Sequence, residues 1–187
     1  MEFHTVSSLV RVFPDTKPIP TAPKGIAMEN EAFSFQVAYR SDQGGVMRVE
    51  CRGDMADWAV VAQVGLVPSQ LPAYPEPDDH YERTQPGLFP DPLMPIPSWR
   101  LGLSASAGWR SIWVTMDGRD RPMPAGDHEV TLHFTHTWTG QELGSCTFCM
   151  TVLPAQLPDQ TLHYTCWTYL DCIAQAHHIR LWSKRFW

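Results

Sequence analysis

Cys146-x-x-Cys149, preceded by His133 and His136 and followed by His163, brings together the residue types of a zinc site. Zinc favours thiolate and imidazole ligands, and structural sites carry their CxxC pairs on turns, often beside a second such pair. Here the stretch TFCMTVL (147–153) alternates as a strand does, so residues three apart point to opposite faces. The same holds for His133 and His136 within HEVTLHFTHT (128–137). The spacing predicts two buried or half-buried thiols and no metal. Cys166 and Cys172 have His163, His177 and His178 close by, but closeness in sequence does not make a nucleophile and its base. His177-His178 with Arg180 would suit a phosphate or a metal; a solvated loop is the plainer reading.

Eight tryptophans are many for 187 residues. Trp99, Trp109, Trp113 and Trp138 have ring faces that suit a pyranose, and Trp109 and Trp113 share a strand face with Ser111. The bland alternative is that they fill the core or a seam with a neighbouring domain.

The elements that must position these residues read as strands. EAFSFQVAYR (31–40) alternates, with Phe33, Phe35, Val37 and Tyr39 on one face and Ser34, Gln36 and Ala38 on the other. Period 2 with aromatic and branched residues marks a half-buried strand. The pattern recurs in VMRVECR (46–52), WAVVAQVGLV (58–67), WRSIWVTMD (109–117), 128–137 and 147–153, and the opening HTVSSLVRVF adds a further strand. Gly44-Gly45, Asp117-Gly118, Ala125-Gly126 and Gly140 punctuate them as turns. Six or seven short strands without a helical period predict an all-β chain, an antiparallel β-sandwich.

Composition sets the bounds. The chain is 43% apolar and 18% charged, which fits one globular domain or one plus a fragment of a second. Five cysteines, an odd number without tight spacing, imply reduced thiols. A net charge of −6 without like-charge runs gives no nucleic-acid footprint. No stretch approaches the roughly 18 apolar residues that span a bilayer. If Met1 is the natural start, the N-terminus has no basic region leading into an apolar run, so it is not a signal peptide and a cytoplasmic protein is expected.

Residues 66–97 hold nine of the seventeen prolines. Proline fixes φ and removes a donor, excluding a helix or a central strand, while Leu88, Phe89, Leu93, Met94 and Ile96 are too apolar for an ordinary linker. A rigid, non-pairing cover over the outside of the sandwich is expected, which would offer no strand edge for aggregation. Tyr74, Asp78, Asp79 and Tyr81 would then reach the rim of a ligand site, or the segment covers core alone.

LVPSQLPAYPEPDD (66–79), YERTQPGLFPDPL (81–93), WRSIWVTMD, LPAQLPDQTLHYTCW (153–167) and DCIAQAHHIRLWSKRFW (171–187) together resemble bacterial proteins of domain-of-unknown-function family 4091, relatives of glycoside hydrolase family 123. The resemblance runs in order over most of residues 29–187. It implies an N-terminal β-sandwich, residues 1–157, and a linker from 158 into a (β/α)8 catalytic barrel. Residues 158–187 would supply that barrel's first strand, TLHYTCW (161–167), and the entry to its first helix, with Ser183 as N-cap. Family 123 enzymes act on terminal N-acetyl-β-galactosamine, using the substrate's acetamido group as nucleophile.

Their paired acids lie on later strands. Asp171 is the one acid at a plausible place, just beyond a possible barrel strand; its plainer reading is a loop or capping aspartate. Where relatives often carry a histidine near the end of the first strand, this chain has Tyr169. The resemblance thus implies a non-catalytic chain without cofactor or metal, truncated within a structural unit, whose partner is the missing barrel in cis. Tyr81, Trp167, Tyr169 and Asp171 would approach the sugar, and Pro86, Gly87, Leu88, Phe89, Pro90, Asp91 and Pro92 would meet the barrel. A free-standing carbohydrate-binding module is the alternative, with a glycan as partner. Leu181, Trp182, Phe186 and Trp187 would be left uncovered, inviting self-association. Neither nucleic acid nor membrane is expected as a partner.

Overall fold

Phe35, Val37 and Tyr39 alternate with Ser34, Gln36 and Ala38, and the chain there is a strand whose odd residues enter the core. The structure, a computed structural model, describes residues 1–41, 44–70, 76, 80–96, 100–103 (backbone only), 108–159, 161–163, 165 and 167–187. Its strands are β1 (Glu2–Ser7), β2 (Lys24–Met28), β3 (Ala32–Arg40), β4 (Gly45–Arg52), β5 (Ala59–Ser69), β6 (Gly87–Pro95), β7 (Arg100–Leu103), β8 (Arg110–Asp117), β9 (Gly126–His136) and β10 (Glu142–Leu153). One helix, α1 (Leu170–Ala176), follows among the described residues. The six alternating stretches of the sequence are β3, β4, β5, β8, β9 and β10.

The strands form two five-stranded sheets, ordered β1-β3-β8-β5-β6 and β2-β10-β9-β4-β7. Every pairing is antiparallel except β2 with β10, which run parallel from Cys149↔Lys24 to Leu153↔Met28. The second sheet is therefore mixed rather than wholly antiparallel. Between the sheets lie Phe35 and Val37 of β3, Ile112, Val114 and Met116 of β8, Met47 and Val49 of β4, Leu132 and Phe134 of β9, and Phe148 and Met150 of β10. Phe35 stacks on Phe148 at 3.9 Å and 7°, and Phe3 on Phe134 at 4.3 Å. Each such side chain contributes about 1.5–3 kcal/mol by leaving water. At the turn after β8, Gly118 lies where a Cβ would come within 2.2 Å of the Glu29 carbonyl oxygen, so the approach admits no side chain.

The opening stretch is a strand only as far as Ser7. Residues 8–13 then cross the outer face of the first sheet as a strap. Val12 of the strap joins Val6, Ala38 and Trp109 in a second small core. Gln36, 3% exposed, fastens the strap by donating from Nε2 to the carbonyls of Ser7 (3.0 Å) and Val10 (2.7 Å). Its Oε1 accepts the Ser111 hydroxyl at 3.0 Å. Trp109 N–H donates to the Pro14 carbonyl at 2.8 Å.

The proline-rich segment corrects the expectation of a non-pairing cover. Gly87–Pro95 is β6, the edge strand of the first sheet, paired antiparallel with β5. Proline is barred from central strands but tolerated at an edge, where its missing donor faces outward. The register shows how. Leu66↔Pro90 and Pro68↔Leu88 each contain a proline, which has no N–H to exchange. The hydrogen-bonded rungs must be those between, Val67↔Phe89 and Ser69↔Gly87. Pro92 sits where the register slips between Val64 and Leu66, so it interrupts no rung.

The chain divides into two compact units, Met1–Leu157 and Pro158–Trp187. In the second, the described part of 161–167 is not a strand; a strand exists only with a partner to bond. Helix α1 has no side-chain N-cap to announce it in the sequence, and it ends in a Schellman motif. His178 N–H bonds Gln175 O (3.1 Å), Ile179 N–H bonds Ala174 O (2.8 Å), and His178 takes the left-handed φ of 51° that glycine usually fills. Ser183 caps no helix. Residues 180–186 are turns, closed by Ser183 N–H to Arg180 O and Phe186 N–H to Ser183 O, and the Ser183 hydroxyl has no partner among the described residues. No helix among the described residues is long and apolar enough to cross a membrane.

Candidate functional site

In the first unit, β6 and the strap face each other across a hollow. Phe13, at the strap's end, meets Phe89 of β6 edge-on, at 5.5 Å and 85°. The Arg83 guanidinium lies over the Phe13 ring at 4.2 Å and 5.9 Å from that of Phe89, a cation–π arrangement worth about 0.5–2 kcal/mol. Its Nη2 also pairs with Asp15, and that hydrogen bond holds the Asp15 carboxyl below the usual range. Gly87 leaves room for it, since a Cβ there would sit 3.1 Å from Arg83 Nη1. Arg11 of the strap approaches Glu82, Nε to Oε2 at 3.6 Å.

Beside them lies an open pocket of about 380 Å³, with Val67, Phe89 and Pro90 as its apolar lining and Arg11, Tyr81, Glu82, Arg83 and Asp91 as its polar lining. A neighbouring hollow of about 220 Å³ shares Arg11, Pro90 and Asp91, and reaches Trp113 and Gln36. Among the described residues, neither the Tyr81 hydroxyl nor the Asp91 carboxylate has a hydrogen-bond partner. The site can hold a small amphipathic molecule of either hydrogen-bonding sense.

Of the sequence-predicted site residues, Tyr81 lies here, 45% exposed, with Phe89, Pro90 and Asp91 around the same pocket. Gly87 and Leu88 lie on the same strand, with Pro86 just before it and Pro92 at the register slip. Trp167, Tyr169 and Asp171 belong to the second unit, all three exposed; Asp171 stands in the first turn of α1. Tyr74, Asp78, Asp79, Trp99 and Cys166 lie outside the described residues. Arg11, Glu82 and Arg83 went unnoticed in the sequence; Tyr81-Glu82-Arg83 was the available signal.

Trp109, Trp113 and Trp138, the described members of the expected tryptophan platform, have separate surroundings. Trp109 is 3% exposed within the small outer core, which is the packing use of that ring. Trp113 is half-buried on the same sheet face, its indole N–H bonded to Thr115 Oγ1 at 3.1 Å. Trp138 stands at the β9–β10 hairpin against His136. Cys146 turns inward and Cys149 outward, as the strand period requires. Burial pushes the Cys51 and Cys146 thiols up to about 11. No group of three or more His, Cys, Asp or Glu that could hold a metal occurs among the described residues.

A separate polar cluster ties the loop after β4 to β9. His128 Nδ1 faces Asp54 Oδ2 at 2.5 Å, and Nε2 faces the Pro124 carbonyl at 2.8 Å. Both neighbours are acceptors, so the ring serves both only as imidazolium. The Asp54 contact raises the His128 pKa above its ordinary value, and His128 lowers that of Asp54.

Among solved structures, a family 123 glycoside hydrolase from Clostridium perfringens superposes on this chain with a TM-score of 0.54 at 11% identity, over 72% of this chain. The similarity is one of fold. The chain spans 23% of the length of that hydrolase, an enzyme of glycolipid glycan hydrolysis. A Caenorhabditis elegans MSP-domain-like protein matches at TM-score 0.32 and 8% identity, over 70% of this chain and 94% of its own. A major fimbrial subunit from Escherichia coli matches at 0.34 and 13%, over 80% and 98%. No protein-family profile matches the sequence, and no curated protein matches it.

Proposed function

We propose that residues 1–157 are the N-terminal accessory β-sandwich of a glycoside-hydrolase-like protein of the N-acetyl-hexosaminide class. They would support a (β/α)8 catalytic barrel joined in cis through residues 158–187, and would carry out no hydrolysis themselves. One observation carries this reading. The fold similarity to a family 123 hydrolase covers 72% of this chain but only 23% of the enzyme, the relation expected of one domain within a larger protein. The motif resemblance to family 4091 proteins points the same way. Trp167, Tyr169, Trp182 and Trp187, 63–95% exposed, offer the apolar surface that a following domain would cover.

The test begins at the gene. The native reading frame is sequenced through codon 187, and its complete product is assayed on an aryl N-acetyl-β-galactosaminide beside the 187-residue chain. Hydrolysis by the longer product alone is expected. A stop after Trp187, or turnover by the short chain, would overturn the proposal.

A further inference from the structure

The hollow between the strap and β6 has a chemistry of its own. Its apolar lining is Val67, Phe89 and Pro90, and the Arg83 guanidinium lies over Phe13, which meets Phe89 edge-on, before any ligand arrives. A preformed apolar floor with a few convergent polar groups is the usual character of a small-molecule site, and about 380 Å³ falls in the usual size range of roughly 300–1,000 Å³.

The charged lining selects the ligand. Arg11 and Arg83 stand beside Glu82 and Asp91, so an anion or a cation meets like charge on one side. A neutral molecule with many hydroxyls meets no such penalty, because it can donate to Asp91 and accept from Arg11. Tyr81 adds an exposed aromatic ring and a hydroxyl without a partner among the described residues. A peptide strand is disfavoured, because Pro90, Pro92 and Pro95 remove donors from β6, and strand addition depends on main-chain hydrogen bonds.

We infer that this hollow binds a neutral glycan, with Tyr81 as the stacking ring and Asp91 and Arg11 as hydrogen-bonding partners. A second sugar unit continues into the adjoining hollow toward Trp113. The inference is independent of the accessory-domain reading, since it rests on the first unit alone and is read by binding rather than hydrolysis.

The test titrates the isotope-labelled 187-residue chain with lactose, N,N′-diacetylchitobiose and cellotriose, following backbone and indole NMR shifts. A hyaluronan tetrasaccharide serves as the anionic comparison and decaproline as the peptide. At least one neutral sugar binds with a dissociation constant of order 1 mM, weakened about tenfold by Tyr81→Ala and by Asp91→Ala. Trp138→Ala, on the β9–β10 hairpin, leaves binding unchanged. Variant spectra that match the parent's away from the substituted residue confirm each variant's fold. The inference is overturned by absence of shifts up to about 20 mM sugar, by tighter binding of hyaluronan or decaproline, or by binding indifferent to Tyr81→Ala.

Discussion

Replacing Gln36 with leucine keeps the side chain's bulk and removes the strap's fastening. Three hydrogen bonds are lost, two from Nε2 and one into Oε1. The Ser7 carbonyl keeps a second donor, the Val10 N–H at 3.2 Å. The groups left unpaired are the Val10 carbonyl and the Ser111 hydroxyl. Ser111 is 2% exposed, whereas Val10 is 37% exposed, so the Val10 carbonyl can turn to water once the strap lifts. An orphaned buried polar group costs about 1–3 kcal/mol, so Gln36→Leu should cost about 2–3 kcal/mol. In a chain of this size that lowers the melting temperature by about 4–12 °C.

Ser111→Ala alone should also destabilise, by orphaning Gln36 Oε1. The double variant removes both ends of the bond and should cost about 1 kcal/mol less than the sum of the singles. Denaturant unfolding supplies the cycle, and hydrogen exchange supplies the location: amides 8–13 should lose protection before those of β3 and β8. Additive single effects, or a strap as protected in Gln36→Leu as in the parent, would refute the reasoning.

Other expectations follow from titration and thiol exposure. The raised His128 pKa makes its contribution full below the unfolded value of 6.5 and lost as pH rises through the folded value; the lowered Asp54 pKa makes its share full above 3.8 and lost below it. Their joint contribution therefore peaks between those limits. With Asp54 57% exposed, screening holds it to about 1 kcal/mol or less. His128→Gln should erase that part of the pH dependence in urea titrations at pH 5 and pH 8, and an unchanged difference would exclude the pair. A thiol reagent at neutral pH should label Cys149 and Cys172, both exposed, while Cys51 and Cys146, held at about 11, react only on unfolding. Mass spectrometry of the labelled peptides decides it.

The two-residue period made β3, β4, β5, β8, β9 and β10 legible, because each is long enough to show which face enters the core. β2 was not, since KGIAM places only Ala27 firmly inside and leaves Ile26 63% exposed. Its identity comes from β10, far along the chain. β6 is hidden because prolines bar a central strand, whereas here Pro68 and Pro90 fall on non-hydrogen-bonded rungs and Pro92 in a register slip of an edge strand. Helix α1 lacked a start signal, as Tyr169 makes no side-chain cap, and its stop uses a histidine where glycine is usual. The pocket was half legible. Tyr81, Phe89, Pro90 and Asp91 stood out in the proline-rich segment, but Arg11 reaches it only because the strap crosses a sheet, and no local pattern encodes that crossing.

The parallel pairing of β2 with β10 bears on how the protein is made. Lys24 waits for Cys149, a separation of 125 residues (149 minus 24). At roughly 5–20 residues per second, that wait lasts about 6–25 s after β2 leaves the ribosome. Meanwhile β2 waits without β10, its neighbour in the sheet. The last step is a latch. The Asn30 side chain takes the Leu157 N–H at 2.7 Å and donates to its carbonyl at 2.9 Å. The end of the sandwich is thus pinned to residues laid down some 127 positions earlier, because Glu29 beside Asn30 also holds Ala155 and Gln156.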